Sequence, residues 1–226
     1  NRKLNDYFSS GSPIYAVNSV ALGGRSLLLG TKYLYESISG GEFFEAIGGV
    51  DCRGSGESRE CTPRKQVGTV TSILYGGLFQ GVANEDVALV ATAGPNPLLL
   101  RTGLGPQLNR DNFTPVPNYP GKTIRDMAFD PKDWHTVYIV DDDDVWKATG
   151  LGGQVKWQRL TFELQTPGHD RNFKSILAIE ADDERDRTIL LIGAEDGVYK
   201  GFDRADLGPQ WIKFGEGLPG APVTDL

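Results

Sequence analysis

Short apolar stretches recur along the chain and are separated by polar turns rich in glycine, proline and aspartate. Several stretches alternate apolar and polar residues, as in residues 124–129, which read IRDMAF. A period of two is typical of a β-strand with one buried face, and no stretch sustains the 3.6-residue period of an amphipathic helix. The pattern therefore predicts an all-β protein with few helices, built from short antiparallel strands.

The strand pattern repeats in four segments that begin near residues 13, 69, 122 and 172. Each segment predicts an opening strand, a strongly apolar second strand, a third strand after a tight polar turn, and a glycine-bearing loop before a fourth strand. An aromatic residue stands near the start of each fourth strand: Phe44, Phe113, Trp157 and Trp211. We predict that these aromatics fill the layers between neighbouring sheets.

Four-stranded repeats of roughly 45–70 residues are typical of β-propeller blades. We predict a single propeller domain over residues 1–226, with blades at about 13–50, 69–117, 122–166 and 172–217. Residues 51–66 form a loop insertion, and residues 221–226 read as the first strand of a further blade. The ring is then incomplete within this chain, or it is a small ring in which the final strand completes another blade. The chain starts at Asn1 without a secretory leader, which indicates a processed or excised piece.

The turns before the aromatics resemble a known repeat. Residues 37–44, SISGGEFF, are similar to the S-x-D-x-G-x-x-W Asp box of sialidase-like BNR repeats, and residues 102–113, 149–157 and 203–211 resemble it more loosely. Residues 129–153 are also similar to the blades of sortilin-type receptors, family-74 xyloglucan hydrolases and photosystem II assembly propellers. The resemblance covers nearly the whole chain and implies the propeller fold, while function has to be inferred from individual sites.

The motifs of the enzymes in that superfamily are not visible in the sequence. The arginine-bearing R-I-P motif of sialidases is absent, and Arg25, Arg101 and Arg125 occupy different strand phases, so we do not expect them to converge. Glycosidases need two carboxylates about 5–10 Å apart, and no spacing singles out a pair among the 30 acidic residues. The sequence therefore predicts no catalytic residues, with a glycoside hydrolase as the alternative.

The only two cysteines, Cys52 and Cys61, lie close together in CRGSGESREC. The glycines and serines between them allow the chain to fold back, and a disulfide closing this loop would contribute about 2–3 kcal/mol. It would also imply an oxidising compartment, that is, an extracellular, cell-surface, periplasmic or lumenal location. The alternative is a pair of unrelated reduced thiols.

The same insertion is locally basic, because it contains Arg53, Arg59, Arg64 and Lys65. Loops on a rigid scaffold often carry binding residues. We therefore identify these four residues as candidates for contact with an acidic protein or a polysaccharide. The alternative is a solvated connector whose charges keep it out of the core.

Four adjacent carboxylates, Asp141, Asp142, Asp143 and Asp144, lie between two predicted strands. Calcium prefers several oxygen ligands, which makes this run a candidate calcium site. The other repeats have a short polar turn at the same place, and no EF-hand pattern surrounds the run. A solvated hairpin turn is therefore the favoured interpretation. The sequence predicts no cofactor, and calcium is the one candidate that it raises.

Charge and hydropathy narrow the choice of partner. The net charge is −7 and no basic stripe dominates, so nucleic acid is not an expected partner. No apolar run reaches membrane-spanning length. We predict a non-catalytic interaction module for protein or glycan, within a larger secreted or surface polypeptide. A third alternative is a structural protein that self-associates, or recruits an additional chain, through its blade edges.

Overall fold

A computed structural model shows eighteen β-strands in the part of the chain that it describes. It describes residues 13–18, 20, 26–53, 60–63, 65–105, 108–161, 164, 172–181, 187–203, 209–215 and 220–226, with backbone only at 50, 52, 60 and 61. No α-helix occurs in these ranges. The chain divides into two compact units: unit 1 contains Asn1–Gly76 and Asn84–Pro115, and unit 2 contains Gly77–Ala83 and Val116–Leu226.

Unit 1 contains two four-stranded sheets and a small hairpin. The strands of the first sheet are β1 (Ile14–Val17), β2 (Leu27–Gly30), β3 (Leu34–Ser37) and β4 (Glu45–Ala46). The hairpin consists of β5 (Val50–Arg53) and β6 (Glu60–Pro63). The second sheet contains β7 (Thr69–Phe79), β8 (Val82–Ala93), β9 (Leu98–Arg101) and β10 (Thr114–Pro115). The ends of β7 and β8 that adjoin their shared turn are counted in unit 2.

Unit 2 contains two more four-stranded sheets. The third sheet is formed by β11 (Asp126–Phe129), β12 (Val137–Val140), β13 (Val145–Thr149) and β14 (Lys156–Arg159). The fourth is formed by β15 (Ser175–Glu180), β16 (Thr188–Ala194), β17 (Gly197–Asp203) and β18 (Ile212–Phe214). All four sheets connect their strands in chain order as antiparallel meanders, which confirms the predicted all-β architecture of four-stranded sheets.

The strands begin and end where the sequence supplies turn residues. Gln80 and Gly81 link β7 to β8 with positive φ angles of 51° and 76°. Two positive φ angles define a type I′ turn, whose twist matches that of the flanking strands. Within unit 2, the backbone N–H of Trp134 donates to the carbonyl of Leu78 near this turn at 2.8 Å.

Each unit has its own buried core. In unit 1, side chains of the first and second sheets pack together, with Leu28, Val90 and Phe113 among them. In unit 2, Tyr138 and Val145 of the third sheet pack with Leu190 and Ile192 of the fourth. Because each sheet supplies apolar side chains to a neighbouring sheet, burial between stacked sheets stabilises both units.

The four predicted box aromatics have different surroundings. Phe113 is buried in the core of unit 1, and Trp211 packs against the core of unit 2. Phe44 is half-buried just before β4. Trp157 lies within β14, where its ring meets Tyr119 edge-on at 5.2 Å. Its Nε1 donates to the carbonyl of Pro117 at 3.1 Å, so this tryptophan holds a loop of its own unit.

Candidate functional site

A cleft of about 540 Å³ opens on the surface of unit 1. Two chain segments line it: the turn that follows β4 and the loop between β9 and β10. The lining residues are Glu45, Ala46, Ile47, Gly48, Gly49, Leu108, Asn109, Arg110 and Asp111. A concave surface that combines charged, polar and apolar groups is the usual form of a binding site.

The first wall of the cleft is a tight turn that leaves the edge of the first sheet. The backbone N–H of Ile47 donates to the carbonyl of Leu34 at 2.9 Å, which continues the pairing of β3 with β4. Gly48 and Gly49 then have φ angles of 84° and 79°, in the left-handed region that glycine tolerates. A side chain at Gly48 would meet Cβ of Lys65 at 2.9 Å, so this wall lies directly against the end of the insertion.

The second wall is a loop held by its own hydrogen bonds. Gly105 and Asn109 exchange backbone hydrogen bonds of 2.8 and 3.3 Å, and Asn109 Oδ1 accepts from the backbone N–H of Asp111 at 2.9 Å. Within the loop, Leu108 has a φ of 59° and its side chain is 76% exposed. In the described part of this loop, Leu108 thus displays an apolar side chain to solvent next to the hydrogen-bonded Asn109.

A chain of charged groups leads from the core of unit 1 to the cleft. Arg101, which is fully buried, pairs with Glu36 at 2.7 Å. The other Glu36 oxygen pairs with Nε of Arg110 at 3.2 Å, and Arg110 pairs with the exposed Glu45 at 3.1 Å. Arg110 therefore presents its guanidinium to the cleft while two carboxylates fix its orientation.

The buried end of this chain is well satisfied. Nε of Arg101 donates to the carbonyl of Asp86 at 2.8 Å, and its guanidinium lies 5.6 Å from the ring centre of Tyr75 and 5.3 Å from that of Phe113. Tyr75 donates its hydroxyl proton to Glu36 at 2.6 Å. Burial, together with this hydrogen bond to a carboxylate, raises the pKa of Tyr75 to about 12. Such a network fixes the position of Arg110 from the inside.

The basic insertion reaches the cleft through Lys65. Its Nζ pairs with Asp111 at 2.7 Å, which ties the end of the insertion to the second wall. Arg53 is exposed at the end of β5. Arg59 and Arg64 lie outside the described residues. The structure therefore places Lys65 beside both walls of the cleft, at Gly48 and Asp111. It places Arg53 on the β5–β6 hairpin.

The two cysteines lie on opposite strands of the β5–β6 hairpin. The register pairs the backbone of Cys52 directly with that of Cys61. Directly opposite residues of antiparallel strands have Cα atoms about 4.5–5.5 Å apart, which lies within the range that a disulfide spans. The predicted disulfide agrees with this register and stays a prediction.

The acidic run of unit 2 is built around one buried carboxylate. Asp141 is 1% exposed, which makes the solvated turn wrong for this residue. Its carboxylate accepts hydrogen bonds of 2.8–3.2 Å from the backbone N–H groups of Asp143, Asp144 and Lys122, the hydroxyl of Tyr119 and Nε1 of Trp146. These five donors take the place of the water molecules that would hydrate the carboxylate in an exposed turn.

The other three carboxylates of the run form separate ion pairs. Asp142 pairs with Arg125 at 2.6 Å, and the hydrogen bonds from this guanidinium hold the pKa of Asp142 below its usual value. Asp143 pairs with Lys122, and Asp144 pairs with Arg159 at 2.6 Å. No group of three or more metal-ligating side chains occurs in the described part of the chain. Calcium binding at the run stays a prediction.

A solved structure with a similar architecture places the fold among known folds. The β-propeller domain of Cps50 (Swd1) from Myceliophteria thermophila is similar to this chain, with a TM-score of 0.56 and 12% sequence identity over 93% of the chain. The chain spans 57% of the length of that solved chain. No family model matches, and no curated protein matches either. The chain therefore has a β-propeller fold, and the resemblance to sialidase-like repeats is not confirmed beyond that fold.

The ionic chain was not predicted from the sequence. From the sequence, Arg101 was considered only with Arg25 and Arg125, and no contact with Arg110 was predicted. In the structure Arg101 lies next to the backbone carbonyl of Arg110 at 3.2 Å and shares Glu36 with it. The one available signal was the position of Arg101 at the end of the apolar strand LLLR, because a charged residue buried in such a strand needs a partner. Within the described residues, no helix is long and apolar enough to cross a membrane.

Proposed function

We propose that this chain is a non-catalytic interaction module that binds an acidic segment of a partner protein at the cleft of unit 1. The observation that carries the proposal is the ion pair between Lys65 and Asp111, because it joins the basic insertion to the cleft. The Arg110 guanidinium lines the cleft and the Lys65 ammonium lies beside it, where Glu45 and Asp111 are their present partners. Carboxylates of an acidic segment would bind these two cations in the same way, and Arg110 is held in a fixed orientation for it.

The exposed apolar side chain of Leu108 supports a protein partner. Interfaces gain most of their affinity from a few apolar or arginine anchors surrounded by polar groups. Leu108 and Arg110 lie two positions apart on the same loop and both line the cleft. The surrounding sheets are a rigid frame, so the loop loses little conformational freedom on binding.

The compartment and the cofactor complete the proposal. If Cys52 and Cys61 form a disulfide, the module functions outside the reducing cytosol, as part of a secreted or surface polypeptide. No cofactor is needed for binding of this kind. Calcium at the Asp141 run would be a separate structural addition, which a calorimetric titration tests.

A pair of matched variants tests the cleft. We expect Leu108→Asp to reduce recovery of the partner from an extract of the source cells at least tenfold, measured by quantitative mass spectrometry. Aspartate tolerates the left-handed backbone of this position. Val82→Asp is the control, because Val82 is similarly exposed at 68% and lies on the β7–β8 hairpin of unit 2. Calorimetry with the purified partner then measures the dissociation constants directly.

The same variants separate the alternatives. Equal recovery with both variants would contradict a protein site at the cleft. A glycan array that shows binding lost only in Leu108→Asp would identify a polysaccharide ligand instead. Turnover of a glycan substrate that one acidic substitution abolishes would establish a glycoside hydrolase and would overturn the non-catalytic proposal.

A further inference from the structure

The third sheet covers one face of the fourth sheet, and no sheet of the described residues covers the other, which we call the uncovered face. Ile176, Leu190 and Ile192 are buried on the face that packs with the third sheet. On the opposite face, Leu177 is 37% exposed and Ile212 is 59% exposed. The uncovered face is therefore apolar, which is unusual for a sheet surface in contact with water.

The register defines the central row of the uncovered face. Leu177 is opposite Leu191, Leu191 is opposite Lys200, and Lys200 is opposite Ile212. Directly opposite residues point to the same side of a sheet. We call this row and its neighbour Phe214, which is 47% exposed, the forward face of the fourth sheet.

The corresponding rows of two other sheets are covered. In the third sheet the row is Ala128, Tyr138 and Lys147, and Tyr138 is fully buried against the fourth sheet. In the first sheet the row is Ala16, Leu28 and Glu36, and Leu28 is fully buried against the second. The forward face thus has the same position in its sheet as two faces that another sheet covers.

The third position of each covered row carries a charge that is paired with the next sheet. Glu36 pairs with Arg101 on β9 at 2.7 Å. Lys147 pairs with Asp203 on β17. In the fourth sheet the same position is Lys200, whose ammonium lies 5.1 Å from the ring centre of Phe202 and 5.8 Å from that of Phe214. No carboxylate of the described residues forms an ion pair with it.

Val223 contacts the fourth sheet in the way that the first strand of the second sheet contacts the first sheet. At the start of the second sheet, the backbone N–H of Val70 donates to the carbonyl of Thr31 at 2.7 Å. The backbone N–H of Val223 donates to the carbonyl of Ala194 at 3.0 Å. Thr31 and Ala194 are equivalent, because each directly follows a glycine of the second strand, Gly30 or Gly193, that is paired with the third strand at Leu34 or Val198.

Two glycines make room for these contacts. A Cβ at Gly30 would meet a Val70 side-chain carbon at 2.7 Å. A Cβ at Gly193 would meet the carbonyl oxygen of Val223 at 2.6 Å and a side-chain carbon of Val223 at 3.1 Å. Gly30 and Gly193 have the same place in their sheets, so Val223 contacts the fourth sheet as Val70 contacts the first.

We propose that the forward face of the fourth sheet is the docking surface for a further four-stranded blade. Residues 221–226 begin the first strand of that blade. Its third strand carries an aspartate or glutamate that pairs with Lys200, as Asp203 pairs with Lys147. The docked blade covers Leu177, Leu191, Ile212 and Phe214.

Methyl NMR with a soluble nitroxide tests whether the face is covered. Ile212 and Ile38 form a matched pair of probes, with side chains 59% and 60% exposed. In the 226-residue chain the nitroxide should broaden both δ1 methyl signals alike. In the product of the complete gene, the broadening at Ile212 should fall severalfold while that at Ile38 stays unchanged. Equal broadening in the complete product would overturn the proposal.

Concentration separates a blade from a second copy of the chain. If protection of Ile212 in the 226-residue chain rises with concentration as a dimer forms in sedimentation experiments, the occupant is a second copy and the proposal is wrong. We expect protection to be absent in the 226-residue chain at every concentration.

A charge reversal tests the predicted acidic partner. Lys147→Glu should lower the melting temperature of both the 226-residue chain and the complete product, because both contain Asp203. Lys200→Glu should lower it by several degrees in the complete product alone. No effect of Lys200→Glu in the complete product would show that no acidic residue faces this position.

Discussion

A buried carboxylate such as that of Glu36 is stable only while its cationic partners stay in place. Glu36→Gln would leave the fully buried guanidinium of Arg101 without a counter-charge. We expect the free energy of unfolding to fall by about 3–5 kcal/mol, measured by urea denaturation. Glu45→Gln is the control, because Glu45 is 81% exposed and exposed ion pairs contribute about 0–1 kcal/mol. Equal losses in the two variants would mean that the buried pair is not energetically important.

The raised pKa of Tyr75 predicts that the folded protein loses stability at alkaline pH. Its pKa is about 12 in the folded protein against an ordinary value of 10.0, so the folded state holds the proton more tightly. The stabilisation is complete below pH 10 and is lost as the pH rises toward 12. Tyr75→Phe should reduce the steepness of this decline by about one proton, measured from urea midpoints across that range. An unchanged slope would contradict the raised pKa.

Which individual residues pair with each other was the hardest feature to predict from the sequence. Glu36 and Arg101 are 65 positions apart, and nothing in the local pattern of either strand encodes their contact. Asp141 shows the same limit, because its burial follows from donors on Tyr119 and Trp146 that only the fold brings together. The alternation of residues along a strand indicates which face of the strand carries a charged residue. The partner of that residue is determined by how the sheets stack.

At the scale of elements, the β7–β8 turn offers a test of local backbone chemistry. Gln80 has a φ of 51°, which asparagine adopts more readily than glutamine, and its side chain is exposed. Gln80→Asn should therefore raise the melting temperature slightly, by the equivalent of a few tenths of a kcal/mol. Gly81→Ala should lower it by about 1 kcal/mol equivalent, because alanine is strained at the φ of 76°. Opposite signs would contradict a type I′ turn.

The β5–β6 hairpin carries the disulfide prediction. If Cys52 and Cys61 are bonded, alkylation of the unreduced protein should add no mass, and alkylation after reduction should modify both thiols. Because the bond closes a short loop, replacing both cysteines by serine should reduce the free energy of unfolding by about 2–3 kcal/mol. Two free thiols in the native protein would remove the argument for an oxidising compartment.

The strands were predictable because their signal is local. Apolar runs such as VYIV at Val137–Val140 are buried along their whole length, and the tight turns contain the expected glycines and aspartates. The insertion was expected to be a loop, but Val50–Arg53 and Glu60–Pro63 pair as strands. Residues 77–85 contain two glycines and one asparagine, a composition that is typical of a loop. In the structure, β7 and β8 instead extend through this segment and are joined by a two-residue turn.

At the scale of the molecule, the number of sheets could be predicted from the sequence, and the cleft could not. Each repeat contains its own strand pattern, so four sheets follow from counting repeats. The cleft depends on two loops that are some sixty residues apart and on side chains whose partners lie in other strands. Loop geometry of this kind is a product of the folded sheets, and only a structure reveals it.

The two cores predict that the units differ in their response to a core substitution. Leu28 and Val90 belong to the core of unit 1, whereas Leu190 and Ile192 belong to that of unit 2. Because stability in repeat folds depends on neighbouring sheets, Glu36→Gln should speed hydrogen exchange in β2 and β8 before it affects β16. Mass spectrometry of peptides from these strands at low urea measures the difference. Exchange that speeds up equally in β8 and β16 would show that the two cores unfold in one cooperative step.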